Sequence, residues 1–136
     1  MQGVFLVAAE MAARGLIVSP TSRSAFGADL LVTDETCGRA YSVQVKTNGK
    51  PASFWLVGRN ARKLAARSHI YVFVNIDPRK GAHEYYIVPS GEVAKRTRIA
   101  RRPRSTWYSF RRDDALSYRD RWSVLIRAKV PTHRRA

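Results

Sequence analysis

Ala28-Asp29-Leu30-Leu31-Val32-Thr33-Asp34 and Arg39-Ala40-Tyr41-Ser42-Val43-Gln44-Val45-Lys46-Thr47 are two β-type runs with only Glu35-Thr36-Cys37-Gly38 between them. Such closeness predicts a hairpin. A turn centred between Thr36 and Cys37 sets Asp34 opposite Arg39 and Asp29 opposite Gln44. Side chains alternate along a strand, so Gln44 and Lys46 share one face. In this register Asp29 joins them, its side chain within about 5.5 Å of that of Gln44 by cross-strand spacing. Val43 and Val45 then point to the other face, into a core with Leu30 and Val32. The hairpin is thus expected to gather a carboxylate, an amide and an ammonium on one patch of an otherwise apolar sheet.

Working outward, Val4, Val7, Ala8, Met11 and Ala12 recur at helical spacing over residues 3–14, with Gly15 as the stop. Leu16-Ile17-Val18 reads as a short strand closed by Ser19-Pro20, and residues 21–27 as a polar loop. Beyond the hairpin, Asn48-Gly49-Lys50-Pro51 is a break, and residues 54–57 read as one more short strand. The Ala- and Arg-rich segment 59–67 is expected to be helical. Ile70-Tyr71-Val72-Phe73-Val74-Asn75-Ile76 has the unbroken apolar pattern of a buried strand. A turn at 77–81, a strand at 84–88 and a helix from Pro89-Ser90 to about Arg98 follow. The order of elements gives an α/β layout, a mixed central sheet with flanking helices.

The chain has 136 residues, 45% hydrophobic and 26% charged, which suits one globular domain over residues 1–136. No apolar run approaches the roughly 18 residues of a membrane span. The first residues lack the charged start and cleavage site of a signal peptide, so a cytoplasmic protein is expected. A lone cysteine, Cys37, excludes an intramolecular disulfide and a multi-cysteine zinc site. Lys+Arg total 25 against 10 Asp+Glu, a net charge of +15. Residues 89–136 hold 14 of these cations and 4 acids. Such a surplus repels itself in a compact fold and points to a polyanionic partner, DNA or RNA. Arginine supplies 19 of the 25 cations, and its planar fork grips phosphate oxygens in pairs.

The patch on the hairpin has a chemical logic. A hard cation such as Mg²⁺ takes oxygen ligands, here the Asp29 carboxylate, the Gln44 side-chain oxygen and the Val45 carbonyl, and keeps several waters. Such an ion activates a bound water and neutralises charge on a phosphoryl oxygen. Lys46 then orients the water or stabilises the transition state. This is an arrangement for phosphodiester hydrolysis.

These residues resemble the PD-(D/E)XK, or restriction-endonuclease-like, nuclease superfamily. The resemblance lies in Gly27-Ala28-Asp29-Leu30-Leu31-Val32 followed by Val43-Gln44-Val45-Lys46-Thr47, with the helix exit Arg14-Gly15-Leu16-Ile17-Val18 before them. It implies a helix, three strands, helix and strand core over about residues 3–76, with a basic, aromatic C-terminal extension over about 89–136. It carries the metal-binding Asp onto Asp29, the (D/E) position onto Gln44 and the lysine onto Lys46. Gln-x-Lys is similar to the variant found in Mrr-type restriction endonucleases. The implied activity is that of a Mg²⁺- or Mn²⁺-dependent endodeoxyribonuclease, for which a homodimer would suit cutting both strands of a duplex. Related members carry a metal-shell Glu near the start of the first helix, roughly where Val4 stands. Glu10 is the only acid on this helix, about 120° around from Val4. It either reaches the site through a differently rotated helix or pairs with Arg14 at i, i+4.

Lys95, Arg96, Arg98, Arg101, Arg102 and Arg104 form a basic run with neutral neighbours, read as a phosphate-tracking surface. Trp107, Tyr108 and Phe110 are candidates for stacking on unpaired bases. Against that, Trp107 and Trp122 also read as packing a C-terminal helix onto the sheet. His69, His83 and His133 have no metal-ligand spacing, Cys37 sits in a turn with no base beside it, and Asp77 and Glu84 read as surface charges around a turn. The alternative to a nuclease is a non-catalytic nucleic-acid-binding module on the same fold. A basic RNA-binding protein of unrelated α/β fold would leave Asp29 and Lys46 apart.

Overall fold

The computed structural model describes residues 1–22 and 27–126; His133 and the centre of the expected loop 21–27 lie outside these. In chain order the elements are α1 (Gln2–Ala13), β1 (Ile17–Pro20), β2 (Leu30–Thr33), β3 (Ala40–Asn48) and β4 (Phe54–Val57). A 3-10 turn (Arg59–Arg62), β5 (His69–Asn75), β6 (Glu84–Pro89) and α2 (Ser90–Arg96) come next. Then follow β7 (Arg98–Arg102), β8 (Ser105–Arg111), α3 (Arg112–Ala115) and two further 3-10 turns, Leu116–Tyr118 and Trp122–Val124.

Five strands make a mixed sheet in the order β1-β2-β3-β5-β6, with β3 and β5 parallel and the other neighbours antiparallel. The hairpin has the expected register: Thr33 pairs with Ala40 and Leu30 with Val43. Its turn closes through Cys37 N–H donating to the Asp34 carbonyl at 3.0 Å. Cys37 adopts the left-handed conformation at φ 56°. The Asp34 carboxylate accepts from the Gly38 N–H and the Thr36 hydroxyl, which hold its pKa below the usual carboxylate value.

Strand β5 is buried along its whole length because both faces of the sheet are covered. On one face Val43, Val45, Ile70 and Val72 meet Val7 and Met11 of α1, together with Trp122. On the other, Tyr71, Phe73 and Tyr86 meet Trp55 and Phe110. Trp55 and Phe110 belong to a second, three-stranded sheet in the order β4-β8-β7, laid over the first. Phe73 stacks on Phe110 at 4.9 Å between centroids, and the Trp55 indole N–H donates to the Val74 carbonyl at 2.9 Å. Each such side chain contributes about 1.5–3 kcal/mol on leaving water.

The structure departs from several expectations of the sequence. The expected helix 59–67 shrinks to the 3-10 turn Arg59–Arg62. Its cations Arg59, Arg62, Lys63 and Arg67 repel at i, i+3 and i, i+4 with no acid among them, and Ala61 is its only buried residue. Ala66 is instead held by buried Ser90, whose hydroxyl donates to the Ala66 carbonyl and accepts from the Ala66 N–H. The helix expected through Arg98 ends at Arg96, because from Arg98 the chain pairs as a strand with β8. No long C-terminal helix forms among the described residues. Trp122 packs on Tyr85 from a short turn, while Trp107 stands about half exposed on β8.

Glu84 is not a free surface charge. It is partly buried and anchors Arg112 at 2.8 Å and Arg119 at 3.4 Å, and it accepts from the Tyr86 hydroxyl and the Asn75 amide. Its pKa lies below the ordinary value, chiefly through the Arg112 hydrogen bonds.

Candidate functional site

The approach to Asp29 begins at Gly27, whose φ of 73° is in the region that glycine enters without strain. Asp29 then donates its N–H to the Val43 carbonyl at 2.8 Å, although Val43 is the register partner of Leu30. Two successive residues of one strand thus address one residue of the other, as at a β-bulge, a device that re-aims a side chain. The carboxylate swings onto β3. Its Oδ2 accepts from the Val45 N–H at 2.8 Å and from the Gln44 side-chain amide at 3.0 Å. Asp29 therefore meets Gln44 as the spacing predicts, with the backbone bulged and the side chains in contact.

Gln44 and Lys46 lie beside Tyr71 and Phe73 of β5, on the sheet face that carries the second sheet. Both line a hollow of about 140 Å³, with Gly27, Arg59, Asn60 and Tyr71 among the other walls. Burial raises the Tyr71 pKa. Lys46 is half-buried and also borders a second hollow of about 320 Å³ shared with Asn48, Phe54 and Leu56. Among the described residues its ammonium has no hydrogen bond or ion pair. One strand turn earlier on the same face, Ser42 bonds His69 Nδ1 at 2.8 Å. The imidazole is buried, and burial lowers its pKa.

Glu10 is placed elsewhere. Helix α1 covers the opposite face, and Glu10 pairs with Arg14 at 2.7 Å. Arg14 in turn lies over Trp122, which packs on Tyr85 of β6, three strands across the sheet from β2. Val4, where the resemblance places an acid, packs on the α1 core. Among the described residues no group of three His, Cys, Asp or Glu side chains is gathered for a metal.

The donor set fits an oxygen-seeking divalent ion that comes with its own phosphate and water ligands. Asp29 keeps its second carboxylate oxygen outside the two hydrogen bonds. Gln44 directs its NH₂ to Asp29, which leaves the amide oxygen on the other side of the group. One carboxylate with neutral oxygens is the sparse protein share typical of Mg²⁺ sites at phosphates.

The six cations read as a phosphate-tracking run are divided by the structure. Arg96 is held by Glu92 at 3.0 Å and Asp114 at 3.6 Å. Arg98 and Arg102 pair with Ser109 and Ser105 on one face of the second sheet, and Arg101 pairs with Thr106 on the other. Lys95 is exposed on α2, and Arg104 is exposed between β7 and β8. Of the three aromatics considered for base stacking, Phe110 is fully buried and Tyr108 turns inward beside it. Only Trp107 faces out.

No family model and no curated protein sequence matches the chain. Among solved structures, the Holliday junction resolvase Hjc of Archaeoglobus fulgidus matches with a TM-score of 0.50 at 10% sequence identity. The match covers 83% of this chain and 91% of that one. This chain has a resolvase-like fold. The α/β, restriction-endonuclease-like class expected from the order of elements and the family resemblance is the class observed, at the level of fold. Sequence reasoning missed the second sheet and the wall that Arg59 and Asn60 build beside Lys46. The alternation in Ser105-Thr106-Trp107-Tyr108-Ser109-Phe110-Arg111 was the signal for the first. Nothing in the order of residues announced the second.

Proposed function

We propose that the protein is a metal-dependent endonuclease acting on DNA phosphodiester bonds, with its site at Asp29, Gln44, Val45 and Lys46. One observation carries the reading. The Asp29 carboxylate is anchored across the hairpin on Gln44 and Val45, and Gln44 shares one hollow with Lys46, inside a fold shared with a DNA-junction resolvase. Asp29, the Gln44 amide oxygen and the Val45 carbonyl are the groups to hold Mg²⁺ or Mn²⁺. Bound there, such an ion would supply an activated water and a counter-charge for the phosphoryl oxygens. Lys46, without a hydrogen bond or ion pair among the described residues, holds the phosphate being attacked or its attacking water through its ammonium. Arg59 flanks the same hollow and offers a fork to a neighbouring phosphate. Incision of both strands of a duplex would call for two copies of the chain.

The test is nicking of supercoiled plasmid, and cleavage of a four-way junction, with Mg²⁺ or Mn²⁺ and with EDTA. Asp29→Asn preserves an acceptor for Val45 N–H, and Lys46→Ala breaks no hydrogen bond or ion pair among the described residues, so both variants are expected to fold. Each is expected to lose about 10²-fold or more of a metal-dependent rate. Equal rates in the variants would remove the site from this hairpin. The second reading, a binding module without catalysis, is favoured because no group of three His, Cys, Asp or Glu side chains is gathered for a metal among the described residues. It predicts salt-sensitive DNA binding with no metal-dependent nicking in any of the three proteins.

A further inference from the structure

The second sheet buries only one of its faces. Strand alternation and the pairing register put Phe54 and Leu56 of β4, Trp107 and Arg111 of β8, and Arg98 and Arg102 of β7 on the other. Phe54, Leu56 and Trp107 are 42%, 51% and 48% exposed, an unusual concentration of bare apolar surface in one place. The intervening positions are Ala100, Ser105 and Ser109, so the surface between the large side chains is shallow. Two hollows of about 570 and 560 Å³ flank Trp107 and Leu56, which line both.

The charge on this face has one sign. Arg98, Arg102 and Arg111 have no carboxylate partner among the described residues, and the Arg102 guanidinium lies 6.0 Å from the Trp107 ring centroid. Among the described residues the single acid on the rim is Asp113. Pairing this face with itself in a second copy would bring three unpaired arginines from each chain together, a like-charge arrangement that costs stability. An aromatic flanked by arginines on an open strand surface instead matches the combination that holds unpaired nucleotides, bases on the ring and phosphates on the cations. A duplex hides the faces of its bases in its own stack and leaves such a ring unused.

We propose that the outer face of the β4-β8-β7 sheet is a platform for single-stranded DNA, with Trp107 as its stacking residue and Arg98, Arg102 and Arg111 as its phosphate clamps. The platform is continuous with the candidate site, since Phe54 and Leu56 also line the hollow that Lys46 borders. A strand lying on it runs toward Lys46, so the substrate class is DNA with an unpaired segment, such as a flap, a gap or an open junction. That last step and the choice of DNA over RNA rest on the reading of the site as a DNA nuclease. The binding itself does not.

Binding is measured by fluorescence anisotropy in EDTA with labelled oligo-dT, oligo-rU and a duplex. Trp107→Ala, being on the surface, is expected to keep the native circular dichroism. It is expected to weaken oligo-dT binding about tenfold or more and to change duplex binding by less than about twofold. Trp107→Phe should recover most of the loss, which a purely structural role for the indole would not require. Unchanged oligo-dT affinity in Trp107→Ala overturns the platform. So does a dimer in sedimentation that Trp107→Ala dissolves, which would assign the face to a second copy. Tighter binding of oligo-rU than oligo-dT overturns the assignment to DNA. These outcomes are independent of nicking: oligo-dT binding that depends on Trp107, in a protein that cuts nothing, leaves the platform standing and removes the nuclease.

Discussion

Gln44 occupies a position where its chemistry does two things at once. Its NH₂ neutralises part of the Asp29 charge through the 3.0 Å hydrogen bond, and its amide oxygen stays available on the other side. A carboxylate there would trade that donor for a second negative charge next to Asp29. Two adjacent carboxylates resist joint ionisation unless a cation stands between them. Gln44→Glu is therefore expected to lower the melting temperature at neutral pH without divalent ions and to regain it as Mn²⁺ is added. The wild type should show a smaller rise with Mn²⁺. Thermal denaturation with and without Mn²⁺ checks this, and identical metal responses in the two proteins would argue against an ion between positions 29 and 44.

At the scale of elements, the hairpin was legible because two short-range rules acted together, the brevity of its turn and the alternation of its strands. The register came out of counting alone. The segment 59–67 was misread because its alanines promise a helix while its four cations oppose one, and tertiary burial of Ala61 alone could not decide for the helix. The second sheet was hidden for a different reason. Strand β4 pairs with β8, so the partner of Phe54 is Arg111, and no local pattern links them. Glu84 was hidden likewise, since its partners Arg112 and Arg119 come from the far end of the described chain. That cluster ties β6 to α3 and the turn after it. Because the folded pKa of Glu84 is depressed, its contribution is complete above the ordinary carboxylate value near 4.5 and is lost as pH falls through the lower folded value. Glu84→Gln is expected to cost about 1–3 kcal/mol at pH 7. The gap between the variant and the wild type in urea melts should close as the pH is taken from 5 toward 3 (about the range in which carboxylates titrate). A gap that stays constant over that range would mean the charge of Glu84 is not what holds these elements.

Across the whole molecule, two faces of one sheet have been given different work. The α1 face is a closed apolar core, with Glu10 and Arg14 paired at its outer side. The opposite face carries the Asp29–Gln44 contact, Lys46 and the second sheet, so the candidate site and the arginine-bearing platform lie on the same side. Arg98, Arg102 and Arg111 are thus brought to the side of the sheet that carries Asp29, Gln44 and Lys46. The pairing of β4 with β8 also sets an order of events in time. Strand β4 emerges early in synthesis but finds its ladder only when residues 105–111 exist, whereas β2 and β3 need only a short turn between them. Long loops are slow to close and the rate of folding falls with the sequence separation of contacts. Pulse-labelled hydrogen exchange during refolding should therefore show β2 and β3 amides protected before those of β4 and β8; simultaneous protection would exclude this order. Until that late closure, Trp55, Phe73 and Tyr86 lack their cover, and the nascent chain carries a large sticky surface that a chaperone would have reason to hold.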